Sequence, residues 1–177
     1  MNSSTERNVE SDKRTGFEQD LDHLRKVPLF QGLDYECLKL IAVLCKQINL
    51  IEGDQLMIQG EDDGCAYYLV TGSLQVFHRQ DEIDYPLKTV EPGQFIGGLA
   101  LLGKTIRLFT VQANEKSTLL RLHRDNFQKV MKQFAGNMTI IAANLASELT
   151  DWERDILNLT DRKELEGGNQ VLGISLL

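Results

Sequence analysis

The stretch GQFIGGLALLGKTIRLFTVQA, Gly93–Ala113, decides how this chain is read. A glycine pair, Gly97-Gly98, opens the short apolar run Leu99-Ala100-Leu101-Leu102, and a lone arginine, Arg107, follows nine residues after Gly98. Glycines let a backbone come close to an anion. The free N–H groups of a helix starting there point at such an anion, and a guanidinium grips it with two parallel bonds. The cassette therefore predicts a site for a small anion, with Gly97, Gly98, Leu99, Ala100 and Arg107 around it.

On both sides of this cassette the pattern is of short strands. The runs INLI, QLMI, AYYLV, LQVFH, PLKTV, FTVQA and TLLRL fill residues 48–122 and are separated by Gly53, Gly60, Asp62-Asp63-Gly64, Gly72, a polar QDEID loop and Pro92-Gly93. β-rich runs punctuated at this spacing predict a barrel or sandwich. Upstream, Phe17, Leu21 and Leu24 recur at helical spacing and stop near Pro28, and Leu38, Leu40, Ile41 and Leu44 mark a second helix. Downstream, residues 124–134 and about 137–159 turn helical again. In the second of these, Ala142, Leu149 and Ile156 interleave with Met138, Leu145, Trp152 and Leu159 as a heptad seam, which either lies on the barrel or pairs two chains.

Composition narrows the function. The chain has 177 residues with 26 acidic against 19 basic side chains, a formal charge of -7, and no Lys/Arg cluster to neutralise a phosphate backbone, so no nucleic acid is expected as a partner. Cys37, Cys45 and Cys65 show no CxxC spacing, and His23, His78 and His123 are far apart. Reduced cysteines, structural histidines and no metal site follow. No apolar run reaches the roughly 20 residues of a membrane span and the N-terminus lacks a secretory core, which predicts a cytoplasmic protein without a membrane partner. GxSxG, HExxH and Walker patterns are missing, so no enzyme is expected and no catalytic residue is assigned. Residues 1–16 are polar with mixed charge and read as a disordered arm. Residues 17–134 then form the domain, 135–160 a long helix, and 161–177 a short tail too small for a DNA-binding unit.

Helices, strands with a helical insertion, and a long final helix make up an order that resembles the cyclic nucleotide-binding domain, the sensor of catabolite-activator-type regulators, kinase regulatory subunits and gated channels. LRKVPLFQGLDYECLKLIAVL looks like the family's N-terminal helices, GCAYYLVTGSLQVFH like its central hairpin turning at Gly72, and FIGGLALLGKTIRLFTVQA like its phosphate-binding cassette. The resemblance implies a mainly β fold with flanking helices: a double-stranded β-helix (jelly-roll) barrel followed by a long C-terminal helix. It implies a non-enzymatic regulatory, ligand-sensing module whose ligand is cAMP, cGMP or another small anion, and a homodimer formed through the C-terminal helix and read by a downstream protein.

The cassette keeps only part of the family pattern. Gly97 and Arg107 match the glycine and the phosphate-binding arginine; Gly98 stands where a glutamate binds the ribose, Ile106 where a proline is usual, and Leu108 where a small or hydroxyl residue follows the arginine. A hydrogen bond to a charged group contributes about 1.5–3 kcal/mol, so the missing carboxylate predicts nucleotide binding weakened about ten- to a hundredfold or more. An inward Leu108 would add a steric conflict. An inward Arg107 needs an anion, either a phosphate or carboxylate ligand or an internal acid such as Asp62 or Asp63. Trp152 and Glu153 fall where the family's long helix covers the nucleotide base, although the heptad register already explains Trp152 and favours a seam or packing role for it. A degenerate dimerisation or docking scaffold that binds no nucleotide is the alternative function, and a truncated transcription regulator a more remote one.

Overall fold

The computed structural model describes residues 16–166, with the side chains of Trp152 and of 155–166 outside the description. The expected arm 1–16, apart from Gly16, which opens the first helix, and most of the tail 161–177 fall outside the described residues. Helix α1 spans 16–25. A 3-10 turn at Pro28–Phe30 and α2, Tyr35–Leu44, follow. Eight strands come next: β1 Lys46–Leu50, β2 Gln55–Met57, β3 Cys65–Thr71, β4 Leu74–Gln80, β5 Ile83–Val90, β6 Phe95–Ile96, β7 Thr110–Ala113 and β8 Ser117–His123. The four-residue helix α3, Leu99–Leu102, sits between β6 and β7, and α4, Arg124–Gln133, and α5, Asn137–Glu166, close the chain. Helix α5 runs past the expected end near 160, because Asp161-Arg162-Lys163-Glu164-Leu165-Glu166 carries no helix breaker before the glycine pair that follows in sequence.

The strands form two antiparallel four-stranded sheets, ordered β1-β8-β3-β6 and β2-β7-β4-β5. This is the jelly-roll arrangement, left open rather than closed into a barrel: among the described residues no strand pairs across the two sheets. Successive strands alternate between sheets except at β4–β5, which is the true hairpin. The segment read as the central hairpin at Gly72 is instead a crossover, since β3 pairs with β8 and β6 while β4 pairs with β5 and β7. The polar QDEID stretch is shorter than a loop. Gln80 pairs with Ile83, and Asp81 and Glu82, both at positive φ, make a two-residue turn.

Two apolar cores result. Strand β3 is buried on both faces, which is why it reads as the unbroken run AYYLV: Ala66 and Tyr68 face the helices, while Cys65, Tyr67 and Leu69 face the second sheet. The helical core joins Leu24, Phe30, Ile41, Phe127 and Ile141 to the back of this sheet. The core between the sheets is filled by Leu74, Val76, Val90, Val111 and Leu119. Helix α5 is anchored in cis at its start: Ile141 is fully buried, Leu145 packs on the helical core, and the Asn144 amide donates to the carbonyls of Leu29 and Gln31 at 3.1 and 2.8 Å. The heptad seam therefore divides. Leu145 packs on its own domain, whereas Met138, 39% exposed, Ala142 and half-buried Leu149 are left on the outer face. The cysteines are free, and burial pushes the Cys45 thiol up to about 12.

Candidate functional site

The site is assembled where the segment carrying Arg107, between α3 and β7, meets the turn of residues 60–64. Two backbone bonds fix that meeting: Arg107 N–H donates to the Glu61 carbonyl at 2.8 Å and Gly60 N–H to the Arg107 carbonyl at 2.9 Å. The turn is shaped by its own acids. Asp62 Oδ1 accepts from Gly64 N–H at 3.1 Å, Asp63 Oδ1 accepts from Cys65 N–H at 3.0 Å, and Gly64 takes a positive φ.

Arg107 points inward, as the cassette alignment implies, and its side chain is only 5% exposed. It meets the internal acid. Nη2 donates to Asp63 Oδ1 at 2.5 Å and to the Cys65 carbonyl, and the Tyr67 hydroxyl donates to Asp63 Oδ2 at 3.1 Å. Arg107 Nε is buried with no hydrogen-bond partner, an unusual state for a guanidinium nitrogen. Burial and the neighbouring Asp63 carboxylate together push the Tyr67 hydroxyl well above its ordinary range, so it remains a donor.

Gly97 forms the other wall. Its φ is +80°, and a Cβ there would lie 2.8 Å from Arg107 Nη1 and 3.0 Å from the Cys65 carbonyl oxygen, so only glycine lets the arginine pass. Gly98 and Ala100 are buried and Leu99 is half-buried. Gly98 starts the first turn of α3, whose Ala100 and Leu101 amides close onto the Gly97 and Gly98 carbonyls at 3.0 Å. Leu108 is 56% exposed, so the steric conflict expected from an inward leucine does not arise; its carbonyl faces His78 Nδ1 at 3.4 Å. Ile106 is also exposed, and Phe109 packs against the core between the sheets.

Gly98 and Leu99 also line a cavity of about 590 Å³ on the far side of the cassette, with Lys26, Phe95, Leu102 and Glu148 among its other walls. Burial raises the Glu148 carboxyl above its usual range. Arg107 does not line this cavity, so α3 separates the arginine from the space facing α5. Glu153 is exposed on α5, and the Trp152 side chain lies outside the described residues.

Sequence reading missed Arg124. It is the first residue of α4, its Nε donates to the Ala100 carbonyl at 2.5 Å, and its two terminal nitrogens hold both oxygens of Asp62. A cation at a helix N-terminus opposes the helix dipole, which was the signal that it has another partner. Two adjacent acids thus hold two arginines, Asp63 holding Arg107 and Asp62 holding Arg124. The Arg124 hydrogen bond pulls the Asp62 carboxyl below its usual range. A carboxyl lowered in the folded state stabilises the fold fully above the ordinary carboxylate range, and that contribution is lost as pH falls through the lowered folded value. Unfolding free energies of the wild type and Asp62→Asn from denaturant titration should accordingly differ by up to about 1 kcal/mol at neutral pH, a value limited by solvent screening, and converge in acid. A difference that persists unchanged at low pH would contradict this.

Among the described residues no group of three or more His, Cys, Asp or Glu is placed to hold a metal ion, and no helix is long and apolar enough to cross a membrane. The family profile of the cyclic nucleotide-binding domain matches residues 47–134. A solved cyclic nucleotide-binding-like protein from Brucella abortus is 32% identical with a TM-score of 0.61, covering 64% of this chain and 98% of that one. The regulatory domain of PKA from Toxoplasma gondii, solved with cAMP, is 27% identical with a TM-score of 0.64, covering 76% of this chain and 52% of that one. Among curated proteins, potassium channel AKT1 of Oryza sativa subsp. indica is 27% identical over 157 residues, 86% of this chain, and the chain spans only 17% of the channel's length. With the two-sheet fold, the cassette and the inward arginine in place, the chain belongs to the cyclic nucleotide-binding domain family.

Proposed function

We propose that this chain is a non-enzymatic ligand-sensing module that takes a phosphate-bearing ligand, cAMP or cGMP, at Gly97 and Arg107 with reduced affinity. The observation that carries the reading is the buried Arg107 with its unpartnered Nε, packed against Gly97 where a Cβ would meet its Nη1 at 2.8 Å. Gly98 provides no carboxylate for a ribose hydroxyl, which keeps the affinity low. Leu99, Ala100 and Leu108 border the site through their backbone. The face carrying exposed Met138 and Ala142 and half-buried Leu149 is the surface through which two copies would pair, with Trp152 and Glu153 further along the same helix as the candidate lid, and a downstream protein would read the position of α5 in a cytoplasmic complex. Ligand changes that position only by the difference in its affinity for the two arrangements.

Isothermal titration with cyclic AMP and cyclic GMP tests the reading. Saturable binding that disappears in Arg107→Met is the expected result. A second reading, the scaffold that binds no nucleotide, is favoured by one observation: Asp63 already neutralises Arg107. Absence of binding at millimolar nucleotide, with a dimeric mass retained in sedimentation, would establish the scaffold in place of the sensor.

A further inference from the structure

Arg107 is satisfied unevenly. Nη2 carries both bonds, to Asp63 and to the Cys65 carbonyl, while Nε has none. On a guanidinium, Nε–H and one Nη2–H lie side by side, and that edge grips a carboxylate or phosphate with two parallel bonds. The exposed pair of Arg79 and Asp84 uses the edge in full, with Nε on Oδ1 and Nη2 on Oδ2 at 2.7 Å each. In Arg107 the edge is split: its Nε half is vacant and its Nη2 half is already bonded. An anion arriving at Nε can bond bidentately only if Nη2 releases a partner.

The two partners differ in their freedom to leave. The Cys65 carbonyl belongs to β3, which is paired with β8 on one side and β6 on the other. Asp63 lies in a turn, its side chain is 24% exposed, and it has other donors in Cys65 N–H and the Tyr67 hydroxyl. It also holds a negative charge against the guanidinium that an anion must reach.

We propose that Asp63 is the internal counter-ion of this site: it occupies Arg107 in place of a ligand anion, and a phosphate-bearing ligand binds by exchanging with it. The proposal rests on Arg107 being the anion receptor and adds the residue that sets the threshold for occupancy. It makes low affinity in part a built-in competition, separate from the missing carboxylate at Gly98.

Asp63→Asn keeps an oxygen to accept from Cys65 N–H, places an NH2 that donates to the Tyr67 hydroxyl oxygen, and removes the charge. In calorimetry at fixed salt, D63N should bind cyclic AMP about tenfold or more tightly than the wild type. In parallel melting experiments, millimolar inorganic phosphate should raise the midpoint of D63N well beyond its effect on the wild type or on D63N/R107M. Equal cyclic AMP affinities and equal phosphate responses overturn the counter-ion and leave the sensor reading standing. Failure of both proteins to bind cyclic AMP, with phosphate still stabilising D63N selectively, supports exchange at Arg107 and removes cyclic nucleotide as its ligand. No nucleotide binding and no selective phosphate response overturns both. If D63N does not stay folded in plain buffer, it is refolded with and without phosphate: recovery only with phosphate supports the proposal, and no recovery with phosphate overturns it.

Discussion

Gly72→Ala is expected to lower the free energy of unfolding by about 4 kcal/mol or more, the range reserved for substitutions that break a specific structural feature. Gly72 sits at φ +93°, where a side chain is strained, and a Cβ built there would lie 2.6 Å from Ser117 Cα and against Ser117 Oγ. Neither neighbour can move. Ser117 opens β8, pairs with Leu50 of β1, and uses its hydroxyl to accept from Ser73 N–H at 3.2 Å. Asn114 N–H donates to the Ser73 carbonyl at 2.9 Å and its side chain to Ser73 Oγ at 3.1 Å. At this point the chain crosses between sheets twice, once from β3 to β4 and once from β7 to β8, and the two crossings are bonded to each other. An added methyl separates them, and with them the registers of both sheets. Gly136→Ala is the control, since nothing lies within 4 Å of its Cβ position. Urea unfolding of both variants checks the claim, and a loss below about 1 kcal/mol for Gly72→Ala would show that the crossover relaxes.

That crossover also marks how far the sequence could be read. Strand runs, turn residues and the long helix were legible because each is a local pattern, and the cassette was legible because its glycines and arginine stand at a fixed spacing. The pairing of Gly72's flanks was not legible: a glycine turn between two β runs looks the same whether the strands join one sheet or two. Strand β6 escaped because Phe95–Ile96 has no room for a period of two to show. Within the site, Asp62 and Asp63 could be named as possible partners of Arg107, but the choice between them depends on a turn 44 residues away whose backbone alternates their directions. Arg124 reaches Asp62 across 62 residues, and a cation at a helix start signals only that some partner exists, not which acid it is. The outward turn of Leu108 was not legible either, since Leu108 and Phe109 lie in a bend between α3 and β7 with no strand period to set their directions.

The pair at the centre of the site should respond asymmetrically to the loss of either member. In Asp63→Ala the guanidinium of Arg107 stays buried at 5% exposure with only the Cys65 carbonyl for company. Removing one partner of a buried pair costs about 3–5 kcal/mol, because an uncompensated charge is left out of water. In Arg107→Met the remaining charge belongs to Asp63, which keeps Cys65 N–H and the Tyr67 hydroxyl as donors and has access to solvent. That loss should be nearer 1 kcal/mol, the usual value of a single hydrogen bond. The double variant, having no stranded cation, should be more stable than Asp63→Ala alone, with a coupling of at least about 1 kcal/mol in a double-mutant cycle. Denaturant unfolding of the four proteins in a buffer without phosphate or sulfate provides the comparison. If Arg107→Met is the more damaging single change, Arg107 is chiefly a structural strut, and the cassette is a relic of packing. If Asp63→Ala is the more damaging, the fold is maintaining a buried cation at a cost that one acid offsets, an arrangement that only an incoming anion could make worthwhile.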